Sequence, residues 1–387
     1  MQQRLKIFEE LKNKIMKLSI SVYGRHVPIK MLKYGNSEMR KYIIEKQIYG
    51  NVAKLAANRL GNTVLEYAYN QLATSLQRSN LVREFYGKEF AVMKSDKKES
   101  LEEIMKNGNE KNILNFMKGK ISKMINKAIF QPTIFHQILR EWIENLKSWE
   151  SKKEAISMLD EVLLNILHTK DGAKVAVECV TFGSAKTRRN IIKSMKSKKP
   201  EDKHFVSVCK EQFGHQVILR ILDVTDDTVL IKKTIFSELK DHLQELILDP
   251  YASKILIHLL TPRNTLFFTQ HIINTVLNEA TFPEDAGEDA GKSVSKKDAQ
   301  KRQEELLKLF LPPLLSLLLD NQLKFLVKAE LSEEDDKYVN RKKEEIAIIT
   351  KKPAIELLQS ILISDKGKKK KKIADKNLRL FKSFRGG

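Results

Sequence analysis

Lysine and arginine carry most of the chemistry this sequence can offer. Lys120, Lys123 and Lys127 recur at i, i+3 and i+7, a spacing that lines three ammonium groups along one helix face and leaves Ile121, Met124, Ile125 and Ala128 to turn inward. A second cluster, Lys186, Arg188, Arg189, Lys193, Lys196, Lys198 and Lys199, follows Gly183, and no residue from 186 to 200 is acidic. A third run, Lys368–Lys372, lies within Ser364–Gly387, where ten basic residues face only Asp365 and Asp375. The chain of 387 residues has 70 Lys+Arg against 49 Asp+Glu, a formal charge of +21. That excess favours a polyanionic partner, either nucleic acid or an acidic membrane surface.

Catalytic chemistry has no comparable support. There is no Walker loop, dinucleotide fingerprint, His-Glu-x-x-His pair or Gly-x-Ser-x-Gly elbow, so a protein that is not an enzyme and takes no cofactor is expected. His204, Cys209 and His215 lack further ligands at zinc spacing, and no metal site is expected. Cys179 and Cys209 cannot build a disulfide framework; they fit packed thiols in a reducing intracellular setting. Trp142 and Trp149 are seven apart and are expected on one helix face with Ile138, Ile143 and Leu146, in a packing role. Residues 1–20 hold no signal-peptide apolar stretch. Leu306–Leu319, broken by Lys308 and Pro312-Pro313, falls short of the roughly 20 residues that span a bilayer and reads as buried helix.

The elements that must position these cations are helices. Apolar residues recur at three and four positions almost throughout, and alternating runs are nearly absent, so the chain reads as all-α. Six segments share a form: an aromatic or small residue, Gly or a small residue, two variable positions, then an apolar helical stretch. They are Tyr23-Gly24-Arg25-His26, Leu60-Gly61-Asn62-Thr63, Gln131-Pro132-Thr133, Asp171-Gly172-Ala173-Lys174, Phe213-Gly214-His215-Gln216 and Tyr251-Ala252-Ser253-Lys254. The second variable residues, at 26, 63, 133, 174, 216 and 254, are separated by 37, 70, 41, 42 and 38. The 70 is about two periods, and Tyr86-Gly87-Lys88-Glu89-Phe90 is the candidate for a degenerate unit between. Such a period builds a helical solenoid, because one unit cannot bury its own apolar face. Spacing alone fits any α-solenoid of the HEAT or armadillo kind equally well.

Longer stretches narrow the choice. Val64-Leu65-Glu66-Tyr67-Ala68-Tyr69-Asn70, Glu84-Phe85-Tyr86-Gly87-Lys88, and His168-Thr169-Lys170-Asp171-Gly172-Ala173 running on to Cys179 occur in order. They are followed by Gly183-Ser184-Ala185-Lys186-Thr187-Arg188-Arg189, Asp226-Asp227-Thr228, Leu259-Leu260-Thr261-Pro262-Arg263, Ser295-Lys296-Lys297-Asp298 and Arg302-Gln303-Glu304. Through these stretches, over residues 1–320, the chain resembles the Pumilio (PUF) repeat superfamily, and within it the divergent nucleolar Puf-A type. The resemblance implies a curved α-solenoid of armadillo-like Pumilio repeats. It also implies binding of RNA or DNA through basic patches, residence in the nucleolus and nucleus, and a role in making the large ribosomal subunit among pre-ribosomal particle proteins. On this reading residues 1–280 form the repeat array, 281–300 a flexible linker, 301–363 a helical segment like the start of the CPL C-terminal region, and 364–387 a disordered basic tail. The chain is expected to start after the family's first repeat and to stop before its C-terminal region ends. A monomer with no membrane association is expected. Lys368–Lys372 fits a nuclear address, an RNA-grasping arm or a solubilising end.

Sequence-reading members use two adjacent helix positions and one three further on, the outer pair meeting a base edge and the middle residue stacking on bases. The resemblance places these triplets at Arg25/His26/Ile29, Asn62/Thr63/Glu66, Pro132/Thr133/His136, Ala173/Lys174/Val177, His215/Gln216/Leu219 and Ser253/Lys254/Ile257. An aliphatic third residue offers a base neither donor nor acceptor, so only Asn62/Glu66 keeps a reader-like pair. The expected mode is therefore phosphate contact with little base specificity. Its candidates are Arg25, Lys30, Lys120, Lys123, Lys127, Lys174, Lys186, Arg188, Arg189, Lys193, Arg220 and Lys254, with His26 and His215 as stacking or sugar contacts and Gln216 and Ser253 beside them. A protein-interaction scaffold and a sequence-selective translational repressor are the alternatives.

Overall fold

The computed structural model describes residues 2–160, 162–196, 203–247, 249–287 and 299–310. Lys198, Lys199, the tail with Lys368–Lys372 and most of the expected 301–363 segment lie outside them. The described residues form helices and turns with no strand. None of those helices is long and apolar enough to cross a membrane.

Two compact units result. One comprises the described residues up to Thr187 and from Thr281 to Gly287; the other comprises those from Arg188 to Ala280 and from Ala299 to Phe310. The first holds His26–Tyr34 (α1), Val52–Ala56 (α2), Gly61–Tyr67 (α3), Glu110–Asn126 (α4), Thr133–Glu144 (α5), Trp149–Leu159 (α6) and Lys170–Phe182 (α7). The second holds Gly214–Val224 (α8) and Ala252–Leu260 (α9). Each repeat motif lies at the start of a helix, four in the first unit and two in the second. Within the first unit α1 packs on α3 and α5 on α7, while α2 backs α3 and α4 backs α5. In the second, α8 packs on α9.

The motif glycine has a steric cause that recurs. A Cβ on Gly61 would lie 3.2 Å from the Leu55 carbonyl oxygen, one on Gly172 would lie 1.9 Å from that of Ile166, and one on Gly214 would lie 2.6 Å from that of Val208. In each case the glycine crosses over the carbonyl six residues upstream, where the preceding element ends. Gly172→Ala is therefore expected to cost about 2–3 kcal/mol through backbone displacement, and Gly61→Ala less than about 1 kcal/mol. Urea denaturation of both variants checks the gradient, and equal costs would refute it.

The 70-residue separation is an insertion. Tyr86 is buried and donates its hydroxyl to Glu141 of α5 at 2.6 Å, while Glu89–Val92 and Leu101–Asn107 lead into the long α4. No separate unit forms at Tyr86–Phe90. Nor do the tryptophans share a helix: Trp142 ends on α5 and Trp149 begins α6, with a break at Asn145–Ser148. Both are buried. The segment expected as a linker is anchored at its start. Phe282 packs between Trp149 and Phe182, at 5.5 and 5.2 Å between ring centroids, and the Asp285 carboxylate accepts the Trp149 N–H at 2.9 Å.

Candidate nucleic-acid interface

The motif helices keep few groups free to meet a base. Glu66 Oε2 accepts the Thr133 N–H at 2.9 Å and Oε1 accepts from Asn70 Nδ2 at 2.5 Å, so the acidic half of the Asn62/Glu66 pair holds the start of α5. Burial raises the Glu66 carboxyl above the usual carboxylate range, against the lowering effect of those hydrogen bonds. Asn62 is half-buried on the first turn of α3. His136 is buried; its Nδ1 accepts from the Thr169 hydroxyl at 2.7 Å and its Nε2–H donates to the Phe130 carbonyl at 2.6 Å. Thr169 Oγ1 in turn accepts the Gly172 N–H at 3.0 Å and caps α7. Val177, Leu219 and Ile257 at third positions are all buried.

Several cations expected at phosphates are instead internal. Arg220 is 1% exposed, with Nη1 at 3.2 Å from Asp223 Oδ2 and 2.8 Å from the Asn278 carbonyl. Arg188 is 6% exposed; burial lowers its guanidinium and Asp226 opposes that. His215 is 1% exposed, stacked on Tyr251 with centroids 5.5 Å apart and bonded through Nδ1 to the Glu211 carbonyl at 3.0 Å, so it cannot stack on a base. The physical reason is common to all three. A long or planar polar side chain on a crowded face finds its partner inside when an acid or a carbonyl stands within reach. Asp223 serves Arg263 as well, at 3.0 Å, and Asp226 receives Arg302 at 3.2 Å.

Other candidates face solvent. His26, Lys30, Lys123, Lys127, Lys186, Arg189 and Lys193 are exposed, and Arg25, Lys120, Lys174, Gln216, Ser253 and Lys254 are half-buried. Arg189 Nη2 lies 3.4 Å from Asp227. Gln216 Nε2 donates to the Gln212 carbonyl at 3.4 Å, and Lys254 sits 5.5 Å from the Tyr251 ring. Around the half-exposed Tyr34 ring gather Arg4, Lys30 and Lys33, at 5.9, 5.5 and 5.3 Å. Lys127 Nζ donates to the Ala57 carbonyl at 2.9 Å, and Arg59 Nη2 to the Lys127 carbonyl at 3.3 Å.

A further basic surface of the first unit lies on the backing helices. Lys120 and Lys123 of α4 meet Lys54 of α2 across a cleft of about 230 Å³, with Ala53, Ala57, Phe85 and Met124 as its apolar lining. Lys88 stands near enough to act on Lys120. Lys54 and Lys88 were not legible as site residues, since they reach α4 from segments dozens of positions upstream, and Lys88 even stands next to Glu89 in the sequence.

Comparison with known proteins agrees with this architecture. Residues 248–383 match the CPL (NUC119) domain family. Pumilio homolog 3 of Homo sapiens is 32% identical over 320 residues, covering 82% of this chain and 47% of the relative. Pumilio homology domain family member 6 of Saccharomyces cerevisiae is 29% identical over 319 residues, covering 82% and 46%. The crystal structure of human Puf-A superposes with a TM-score of 0.73 at 31% identity, covering 84% of this chain and 60% of that one. Human Puf-A in complex with DNA matches equally, at 0.73 and 31%, covering 84% and 61%. The chain spans about half the length of the curated relatives it matches. Helices opened by a recurring small-residue motif, the CPL match and the likeness to Puf-A agree: the chain belongs to the Pumilio-repeat superfamily, in its divergent Puf-A type, and has that family's all-α helical-repeat fold.

Proposed function

We propose that this chain is a non-catalytic RNA-binding protein of low sequence specificity that grips ribosomal-RNA precursors in the nucleolus during assembly of the large ribosomal subunit. One observation carries the reading. Base-edge positions are closed by burial at Val177, Leu219 and Ile257 and by the internal bonds of Glu66, while Lys30, Lys54, Lys88, Lys123, Lys186 and Lys193 have no carboxylate within ion-pair distance among the described residues. Unpaired ammonium groups attract any phosphate chain, and they carry no information about bases. The relative solved with DNA supports the same class of partner.

Engagement of about six phosphates on a single strand sets a salt slope of roughly −0.7 × 6, so affinity for a single-stranded RNA is expected to fall about 300-fold between 50 and 200 mM salt. Fluorescence anisotropy across that range checks it, and a slope near zero would remove the lysines from the interface. Crosslinking in cells followed by sequencing of bound RNA tests the rest. Pre-ribosomal reads without a shared short motif are expected. One recurrent eight-to-ten-nucleotide motif would instead identify a sequence-selective repressor, and a salt-resistant protein complex with no RNA a scaffold.

A further inference from the structure

The cleft between α2 and α4 gathers cations from separate elements without carboxylate partners among the described residues. Lys54, Lys120 and Lys123 line it, and Lys88 stands close enough to disfavour the charge on Lys120. None of the four has a carboxylate within ion-pair distance among the described residues. Glu84, an acid close in sequence to Lys88, is turned away: its oxygens accept from Gly50 N, Val52 N and Lys94 Nζ. Burial first, then Lys123 and Lys88, hold the Lys120 ammonium below the usual lysine range, a strain that a bound anion relieves. Lysines present compact point charges with three donors each, which suits a phosphoryl group of any orientation.

We propose that this cleft receives a terminal phosphate monoester of a nucleic-acid strand, held by Lys54, Lys120 and Lys123. The inference rests on the nucleic-acid reading and adds recognition of a strand end. Charge decides for an end over an internal link. An internal phosphodiester carries one negative charge, whereas a terminal monoester carries about 1.5 to 2 at neutral pH, a better match to three ammonium groups without a carboxylate partner. Size agrees. At about 230 Å³ the cleft is smaller than the roughly 300–1,000 Å³ of sites that enclose a whole drug-sized ligand, so it accommodates the phosphoryl group with its sugar and leaves the strand outside. Ala53 and Ala57, half-buried at its wall, offer apolar surface to the C–H side of that sugar, over the buried Phe85 and Met124.

The test compares one single-stranded RNA carrying a 5′-phosphate, a 3′-phosphate or hydroxyls at both ends, binding to the full chain by anisotropy. One phosphorylated end is expected to bind about tenfold tighter than the hydroxyl form, as one or two added charge-assisted hydrogen bonds would give. In Lys54→Gln/Lys120→Gln, checked by thermal melting to fold as the parent does, that ratio is expected to drop to about one. Equal binding of the three RNAs would overturn the end-recognition inference alone, and so would a preference that survives in the double variant. No binding of any of them would overturn the nucleic-acid reading itself.

Discussion

Glu84→Ala is expected to destabilise the first unit by about 3–5 kcal/mol, the usual cost of removing one partner from a buried ion pair. The Glu84 side chain is 2% exposed. Its Oε1 accepts from Gly50 N at 2.6 Å and Lys94 Nζ at 2.6 Å, and its Oε2 accepts from Val52 N at 3.0 Å. Gly50 stands at φ +81°, a left-handed conformation that glycine adopts without strain, and its N–H is thereby aimed at the carboxylate. Alanine would leave two backbone donors at the start of α2 unpaired and strip the half-buried Lys94 ammonium of its carboxylate, leaving it the Phe90 carbonyl at 2.9 Å. Glu84→Gln preserves the shape and one acceptor and should cost less, about 1–3 kcal/mol. Guanidinium unfolding of both variants, together with Glu84→Ala/Lys94→Met, provides the check. The double variant should recover part of the loss, because it removes the stranded charge. A loss below about 1 kcal/mol for Glu84→Ala would mean that water replaces the carboxylate at no cost.

The second large effect is acid sensitivity of the second unit, centred on His258. This residue is 0% exposed on α9, with Phe268 edge-on at 5.9 Å, and the charged groups facing it are Asp223, 4.0 Å from Nε2, and Arg263. Burial pushes the imidazole down from 6.5 to about 4, Asp223 opposing and Arg263 assisting. The folded state thus keeps His258 neutral over a range where the unfolded chain binds a proton. Stability from this group is complete above pH 6.5 and is lost as pH falls toward 4, by about 3 kcal/mol in all. His215, lowered by burial, acts in the same direction. Urea midpoints followed from pH 7 to 4 should fall accordingly, and His258→Leu should flatten the decline. An unchanged pH profile in that variant would sink the assignment. In the first unit the effect is blunted, because the buried carboxyls Glu66, Glu84 and Glu141 are raised and titrate with the opposite sign against His136, which is pushed down to about 4.

The all-α repeat fold was legible because its signals are local. A 3.6-residue apolar period and a small residue at each helix start appear in any short window, and each glycine answers to a carboxyl-terminal carbonyl only six residues before it. The candidate site was legible in part. The grouping of Lys120 with Lys123 was legible because both lie on α4, whereas Lys127 falls just past its last turn and off the cleft. The approach of Lys54 was not legible, since it lies 66 residues before Lys120 and only the fold brings α2 to the same cleft; Lys88 comes near enough to act on Lys120 in the same way. Arg188, Arg220 and His215 were misread for the converse reason: a basic side chain looks solvent-facing until the acid it turns toward is located. For Arg220 that acid is Asp223, three residues on, a spacing that could have raised the alternative. The insertion before α4 was hidden because a length near two periods mimics a missing repeat.

The return of Phe282 and Asp285 to α6 also sets an order of events during synthesis. Trp149 and Asp285 are 136 residues apart, so the aromatic slot between Trp149 and Phe182 stays open on the nascent chain until nearly all of the second unit's residues up to Ala280 have been polymerised. At about 5–20 residues per second that wait is on the order of ten seconds, long enough for a chaperone to hold the exposed indole before the chain's own phenylalanine arrives.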